Sequence, residues 1–349
     1  MEYAPARDTH ARLRRTTLSP VPLAVTAPLS GCTALESLKV AQQARDWGYN
    51  AVWASEVDGP DAFTLLGALA ATTDYELGVG VVPVQTRTVF ALGMTAVGLA
   101  QLSEGRFALG IGASSEVLVS RFGGQAFDRP LQYVREAALA LRPILRGERS
   151  TFDGQYVHIG GYKTPSPPPA PVPLFFGSLN PRSLRLAGEL ADGLCVNQVG
   201  PHHLPAMLDE FRAGAAKAGR DLGEFPVMAR LFCLITDDAP AARSVVAQVF
   251  ASYVATSVYN RFYRWMGYEE EAEAIARASL AKDRLAMAAA FTDQMAQDLF
   301  VIGDCGFVIN RLQEYVEAGV TIPVIAPLGI GPESAANTLH EIAERWYRL

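Results

Sequence analysis

Residues 76–115 read as a complete strand, helix and strand, and this unit limits the folds that are open to the whole chain. The first strand ends at Pro83, which cannot donate a hydrogen bond to a neighbouring strand. The helix, residues 88–102, has apolar residues at helical spacing and is followed by Gly105, which tolerates a positive φ. Residues 107–111 are then continuously apolar, as in a strand that is buried on both faces of a parallel sheet. The unit is therefore βαβ.

The same alternation of strands and helices continues along the chain. The predicted strands are residues 21–27, 51–56, 76–82, 107–111, 173–176, 194–198, 227–235 and 322–326. Eight βα units with right-handed crossovers close most economically into a (β/α)8 TIM barrel, and an open doubly wound sheet of eight strands is the alternative. Helix starts are predicted at Thr33 (a capping box with Glu36), at Gly59-Pro60, at Asp128 and at Asn180-Pro181, and the final helix at residues 307–318.

Three segments lie outside this repeating pattern. Residues 1–20 are rich in arginine and are expected to form a mobile leader, with a partner-binding arm as the alternative. Residues 21–349 are predicted to form one barrel domain with two insertions. Residues 150–172 should form a hairpin with a two-residue turn at Asp153-Gly154 and then a proline-rich stretch. Residues 237–298, after strand seven, read as helices too long for an ordinary connection, and we expect a lid or an oligomer surface.

Composition excludes several classes of protein. Half of the 349 residues are hydrophobic and the net charge is -6, which argues against nucleic acid or an anionic membrane as the main partner. The absence of an apolar run of about 18 residues and of an apolar signal core favours a soluble, cytoplasmic protein. The four cysteines have no paired spacing, so reduced thiols are expected rather than a disulfide framework or a metal site.

In a barrel of this kind, the residues that do chemistry follow the carboxyl ends of the strands. The candidates are Glu56, Val57 and Asp58 after strand two; residues 82–87 after strand three; Gly112, Ala113, Ser114, Ser115 and Glu116 after strand four; Gly177, Ser178, Leu179, Asn180, Arg182 and Ser183 after strand five; and Asn197 and Gln198, with His202 and His203 beyond, after strand six. The glycines would let a flat or phosphorylated ligand approach the backbone. The helix that starts at Asn180 would offer free N–H groups to an anion, and Arg182 would add charge.

Each candidate also has a purely structural interpretation. Glu56 could form a structural ion pair, Gly78 and Gly80 could mark a bulge, and residues 112–115 could be an ordinary helix N-cap. The two histidines are expected to face solvent. No Ser/His/Asp trio, HExxH spacing or P-loop occurs, so nucleophilic hydrolysis, zinc chemistry and nucleotide hydrolysis have no support.

The segment GVGVVPVQTRTVFALGMTAVGLAQLSEGRFALGIGAS resembles the luciferase-like monooxygenase superfamily, most closely the branch that uses the deazaflavin coenzyme F-420. Further matching segments, in the expected order, are Trp53 to Glu56 with the following helix, DRPLQYVRE, FDGQYVHI, PLFFGSLNPRSLRLAGELADG and EYVEAGVTIPVIAP. Together they cover residues 21–328. The set is more specific than any one motif.

This resemblance implies a (β/α)8 barrel, usually a homodimer, with a helical insertion after strand seven. It implies a bulge and a non-prolyl cis peptide at Gly80-Val81, where Gly80, Val81, Val82 and Pro83 would press on the central ring of the cofactor. Glu56 matches an acidic position near the redox edge of the cofactor and is the predicted catalytic residue. Leu179, Asn180, Arg182 and Ser183 match the segment that binds the cofactor phosphate, and Asn197 matches a substrate-pocket position. The glycine-rich ends at residues 112–115 and 177–178 complete the predicted cofactor site.

One departure from the family pattern limits what the resemblance implies. Sugar-phosphate dehydrogenases of the family have a histidine and a glutamate where this chain has Val57 and Ser115, and Glu116 is one residue late. Their acid and base roles are therefore not carried over, glucose-6-phosphate is not an expected substrate, and nothing in the sequence points to a pterin.

The predicted function is hydride transfer between coenzyme F-420 and a small organic substrate bound under the helical block. The first alternative is an FMN-dependent monooxygenase supplied with reduced cofactor by a separate reductase. The second is a barrel that binds a flavin or another ligand without turnover. The reactive chemistry belongs to the cofactor in either enzyme, while the barrel provides position and dryness.

Overall fold

The structure is a computed structural model, and it describes residues 20–57 and 59–348. The predicted leader lies outside these residues apart from Pro20, and so does Asp58. The strands are β1 Ala24–Ala27, β2 Ala51–Ala54, β3 Glu76–Pro83, β4 Phe107–Gly112, β5 Ser150–Asp153, β6 His158–Tyr162, β7 Leu174–Gly177, β8 Gly193–Asn197, β9 Val227–Ile235, β10 Val301–Gly303 and β11 Ile322–Pro327. The α-helices are α1 Ala34–Asp46, α2 Ala62–Thr72, α3 Val89–Leu102, α4 Pro130–Leu145, α5 Pro181–Leu190, α6 Leu204–Lys217, α7 Ala239–Val254, α8 Ser257–Trp265, α9 Glu269–Leu280, α10 Arg284–Ala290, α11 Asp293–Leu299, α12 Cys305–Glu317 and α13 Pro332–Trp346.

Eight parallel strands close into a barrel in the order β1-β2-β3-β4-β7-β8-β9-β11, with β11 returning to β1. This confirms the predicted (β/α)8 fold and excludes the open sheet. The strand β10 was not predicted. It has three residues and pairs with the end of β9, residues Cys233 to Ile235, so it extends the sheet beside the closed ring.

The interior of the barrel is filled by side chains that form a separate apolar cluster. Its members are Ala24, Ala51, Trp53, Phe175, Cys195, Met228, Ile322 and Val324. A Cβ atom on Gly78 would lie 2.5 Å from the ring of Trp53, and one on Gly80 would collide with Met228 Cε. These two glycines therefore make room for large side chains inside the barrel. The main core lies outside the ring, between strands and helices.

Several predicted boundaries are confirmed and several are wrong. The capping box of α1 is present, with Thr33 and Glu36 bonded to each other's backbone. The start of α2 at Gly59-Pro60 is wrong, because the carboxylate of Asp61 accepts the N–H of Thr64 at 2.7 Å and so begins the helix at Ala62.

The start of α4 at Asp128 is also wrong. Arg129 takes the N-cap position with φ 41°, while Asp128 accepts the hydroxyl of Tyr156 at 2.9 Å. The β5–β6 hairpin turns through four residues, 154–157, rather than two. The reason is the buried carboxylate of Glu136 on α4, which accepts the backbone N–H groups of Tyr156 at 2.7 Å and Val157 at 3.0 Å.

The segment between β9 and β10 consists of the five helices α7 to α11, where the sequence predicted a helical insertion. The final helix is α13, not residues 307–318, and its Trp346 donates to the carbonyl of Val21 at 2.8 Å next to β1. In the part of the chain that is described, no helix is long and apolar enough to cross a membrane.

Candidate active site

Because all eight barrel strands are parallel, their carboxyl ends meet at one end of the barrel, which we call the barrel mouth. The predicted site residues that the structure describes after β2, β3, β4, β7 and β8 lie there. The residues N-terminal to the strands lie at the opposite end. The structure thus brings together the segments that the sequence singled out.

The end of β3 forms the base of the barrel mouth. The peptide bond Gly80-Val81 is cis, and the pairing of β3 with β4 shifts register between Val79 and Val82, as the family resemblance implied. A Cβ atom on Gly112 would lie 2.8 Å from Val81 Cγ2, and one on Gly177 would lie 2.9 Å from Val81 Cγ1. The two glycines therefore make room for Val81. Its partly exposed isopropyl group gives the mouth an apolar base.

Glu56 lies at the mouth after β2 and is held by Arg87. The Arg87 guanidinium donates to both carboxylate oxygens of Glu56, at 3.3 Å and 2.7 Å. It also pairs with Asp61, and its Cζ lies 4.9 Å from the centroid of the Phe63 ring. The structural ion pair that the sequence left open for Glu56 is therefore present. A catalytic role for Glu56 remains a prediction, and it would have to operate from within this pair.

The charged groups in this cluster shift one another's pKa values. Burial alone would raise the pKa of Asp61, but hydrogen bonds from Thr64 and Arg87 outweigh it and hold that pKa below its ordinary value. Burial alone would likewise lower the pKa of Arg87, and its two carboxylate partners raise it instead. Asp61 and Arg87 thus favour their charged forms, and the ion pairs of Arg87 link the segments after β2 and β3 to the start of α2.

The loop after β4 passes Ser114, which has φ 59°, and enters a short π-helix, Val117–Phe122. Ser115 accepts the N–H of Leu118 with its hydroxyl oxygen at 3.4 Å, a long and weak bond. The N-cap interpretation of this loop thus has modest support, and its predicted cofactor contacts stay a prediction.

The start of α5 contains a capped first turn and an exposed arginine. The hydroxyl of Ser183 accepts the N–H of Asn180 at 3.1 Å and donates to its carbonyl oxygen at 2.8 Å. This closes the first turn beside the end of β7. Arg182 is exposed there and has no ion-pair partner among residues 20–57 and 59–348. The positive end of the helix dipole and this free guanidinium could together hold an anion.

Asn197 ends β8 and faces the helical insertion. Its Nδ2 donates to the hydroxyl of Tyr259 on α8 at 3.2 Å, while its Oδ1 is buried and has no partner in the described chain. Sequence reasoning did not single out Tyr259 or Arg230, the residue of β9 that pairs with Asn197. A signal for Arg230 was present, since it is the one charged residue in the apolar run 227–235.

The two histidines after β8 differ from each other. His202 is exposed as predicted, but the prediction is wrong for His203, which is buried and donates from Nε2 to the carbonyl of Met266 at 3.0 Å. Burial and the neighbouring His202 lower the pKa of His203 to about 4. His203 is therefore a neutral structural link to the insertion at pH 7. Within the described residues, no group of three or more His, Cys, Asp or Glu side chains is placed to hold a metal ion.

The fold and the barrel mouth place the chain among the (β/α)8-barrel enzymes that act at their strand ends. The profile of the luciferase-like monooxygenase family matches residues 23–321, and the chain belongs to that family of oxidoreductases. A 5,10-methylenetetrahydromethanopterin reductase of Methanolobus tindarius is 30% identical over 302 residues, which are 84% of this chain and 91% of the relative.

Two solved structures share the fold. The coenzyme F-420-dependent tetrahydromethanopterin reductase of Methanopyrus kandleri gives a TM-score of 0.77 at 23% identity, over 93% of this chain and 98% of that chain. The oxygenating component of 3,6-diketocamphane monooxygenase from Pseudomonas putida, in complex with FMN, gives a TM-score of 0.68 at 19% identity. The match covers 94% of this chain and 98% of that chain. The family resemblance drawn from the sequence is confirmed.

Proposed function

We propose that this protein transfers hydride between coenzyme F-420 and a small organic substrate. The observation that carries the proposal is the apolar base of the barrel mouth, where Val81 packs against Gly112 and Gly177 at the bulged end of β3. A planar ring can lie flat on such a surface. Kinship with the archaeal reductases supports the choice of F-420 over other planar cofactors.

The residues at the mouth suit this cofactor chemically. Val81 would contact the face of the ring, and the start of α5 with Arg182 would hold the cofactor phosphate. The buried Oδ1 of Asn197 and the buried Oε1 of Gln85 have no partners among the described residues, and both would accept donors from a bound ligand. Deazaflavin has carbon in place of flavin N5, so the bound cofactor supplies two-electron hydride chemistry.

The chain's own residues position and shield the reacting groups. Arg87 fixes the position of the Glu56 carboxylate at the mouth through two hydrogen bonds. The insertion places Tyr259 against Asn197, and we propose that it shields that side of the mouth from water. Glu56 is the group that we propose to accept or return the substrate proton.

Titration of the purified protein with F-420, in both redox states, and with FMN tests the proposal. We expect F-420 to bind at micromolar or lower Kd and FMN to bind at least tenfold more weakly. Arg182→Gln should weaken F-420 binding about five- to tenfold through the lost phosphate contact, or about 1–1.4 kcal/mol. Arg185→Gln, on the same helix but paired with Glu210 on the surface, is the matched control and should leave the Kd unchanged. Tight FMN binding without F-420 binding would overturn the proposal.

The FMN-dependent monooxygenase remains the second candidate, because the FMN complex of the camphane enzyme shares this fold. Oxygen consumption with reduced FMN and a separate reductase would support it. A barrel that only binds its ligand is the third candidate, motivated by the engagement of Glu56 with Arg87. It would be supported if F-420 bound but no turnover occurred with any of a panel of alcohols, ketones and methylenetetrahydromethanopterin.

We also propose a homodimer, on the resemblance to the family. Light scattering behind size-exclusion chromatography measures this directly. A mass near 75 kDa is expected from two 37.5 kDa chains, and a mass near 37.5 kDa at micromolar concentration would contradict the proposal.

A further inference from the structure

Arg230 is a cation inside the barrel for which the described chain supplies no counter-ion. It lies two residues after Met228, which packs in the inner cluster, and side chains two apart on a strand point to the same side. The ladder pairs Arg230 with Asn197, the last residue of β8. The Arg230 side chain therefore lies one layer above the inner cluster, at the level of the barrel mouth.

The surroundings of Arg230 are aromatic rather than acidic. Its Cζ lies 4.8 Å from the centroid of the Phe232 ring, and its Nε is buried with no hydrogen-bond partner in the described residues. Burial lowers its pKa, and the nearby phenols of Tyr253 and Tyr259 oppose this only in part. Arg230 is half-buried as a residue, and its Nε is the atom that is fully buried. A guanidinium that is partly withdrawn from water without a carboxylate partner destabilises the protein. An anion that arrives from outside would relieve this cost.

Two further polar atoms next to Arg230 also lack partners. Asn197 Oδ1 is buried and accepts nothing from the described residues. Tyr259 accepts a hydrogen bond from Asn197 Nδ2, and the described chain offers no acceptor for its own hydroxyl hydrogen. The site therefore has two donors, the guanidinium and the phenol, and one acceptor, the amide oxygen. This set matches a carboxylate next to an O–H or N–H group.

The insertion adds an apolar wall to the same site. The ring of Phe250 on α7 lies 5.1 Å from that of Phe232, and Tyr253 on the same helix lies 6.0 Å from Tyr259. Aromatic surfaces of this kind suit a ligand with an apolar body. The carboxylate would then lie at the centre of the barrel mouth and the body under the insertion.

We propose that Arg230, Asn197 and Tyr259 recognise the substrate, and that the substrate is an organic carboxylate with an adjacent O–H or N–H donor and an apolar body. This inference rests on the proposed function, since it names the substrate class for the same barrel mouth. It assigns the anion to the substrate and not to the cofactor, whose phosphate we place at α5.

Calorimetric titration with matched acids and amides tests this inference. The probes are acetate, benzoate and mandelate, each compared with its primary amide, added to the protein with and without bound F-420. Mandelate carries a carboxylate, a neighbouring hydroxyl and a phenyl group, so it should bind most tightly, at least tenfold tighter than mandelamide. Arg230→Met should abolish this preference, and Arg230→Lys should keep only part of it because lysine cannot form the two parallel bonds.

Two readouts separate recognition from a structural role. Arg230→Met should raise the Tm, because it removes a partly buried charge that has no partner in the described chain, whereas a structural arginine would give a lower Tm. Asn197→Asp should place a carboxylate beside Arg230 and block mandelate binding. Equal binding of all three acids and their amides, or no binding of any of them, would overturn the inference. A tenfold loss of F-420 affinity in Arg230→Met would also overturn it, because the anion would then belong to the cofactor.

The outcomes also separate this inference from the proposed function. If mandelate is preferred through Arg230 but F-420 does not bind, the proposed function fails and the anion site remains. If F-420 binds and no acid is preferred, the anion site fails alone.

Discussion

The substitution Gly177→Ala tests whether Val81 forms the base of the barrel mouth. The new methyl group would lie 2.9 Å and 3.1 Å from the two methyl carbons of Val81, closer than ordinary van der Waals contact. Val81 belongs to the bulged end of β3, so its side chain must move towards the mouth. Overpacking of this kind destabilises by about 1–3 kcal/mol, and it should also weaken F-420 binding at least tenfold.

A double-mutant cycle isolates the contact. Val81→Ala removes both crowded methyl groups and should cost about 1 kcal/mol by itself, since Val81 is partly exposed. In the double variant, the Cβ of Val81 remains 3.6 Å from the new methyl group, which is ordinary contact. The double variant should therefore be nearly as stable as Val81→Ala alone, so the coupling should be close to the cost of Gly177→Ala, about 1–3 kcal/mol.

Urea denaturation followed by tryptophan fluorescence measures the free energies of unfolding, and fluorescence titration measures the F-420 Kd of each variant. Additive losses of stability would refute the packing that we describe around Val81. Unchanged F-420 affinity in Gly177→Ala would refute the position of the ring, even if the stability changed as expected.

Three further predictions concern stability. Gly98→Ala on α3 should raise the free energy of unfolding by about 0.5–1 kcal/mol, because its Cβ enters open space, while Gly93→Ala on the same helix should lower it, because its Cβ would lie 2.9 Å from Ile144. The pKa of His203 is lowered to about 4, so the unfolded chain binds more protons and stability should fall as the pH drops from 6.5 to 4; His203→Gln should flatten this slope in Tm against pH. Arg87→Gln should lower the Tm at pH 7, and the difference from the wild type should shrink below pH 3.8, because the lowered pKa of Asp61 stabilises only while that carboxylate is ionised.

A specific result would contradict each of these three stability predictions. Equal effects of Gly98→Ala and Gly93→Ala on the free energy of unfolding would contradict the difference in space around these two positions on α3. An unchanged pH slope without His203 would assign the slope to other groups. If the difference in Tm between wild type and Arg87→Gln stayed constant down to pH 3, the ion pair with Asp61 would not contribute to stability.

The barrel could be predicted because its information is local. The strands are continuous apolar runs and the helices carry their own caps, such as Thr33 with Glu36. Each βα unit can therefore be predicted from its own residues, without knowledge of the units that pack against it. The errors occur where a distant group decides the local structure. Glu136 on α4 sets the length of the β5–β6 turn. The strand β10 has only three residues, and it is defined by its pairing with the end of β9 and not by a local sequence pattern.

The sequence predicted where the site residues lie, but not which side chains they contact. Strand order places the residues after β2, β3, β4, β7 and β8 at the mouth, and the resemblance implied the backbone at Gly80-Val81. The partners of these residues lie far away in the sequence. Arg87 binds Glu56 across 31 positions and Tyr259 meets Asn197 across 62, and no local pattern encodes such pairs.

The structure of the protein in complex with F-420 tests the central claim most directly. We predict that the deazaflavin ring lies on Val81, within about 4 Å of its methyl groups, with the phosphate at the start of α5. A complex in which the ring binds elsewhere, leaving Val81 exposed to solvent, would contradict the account.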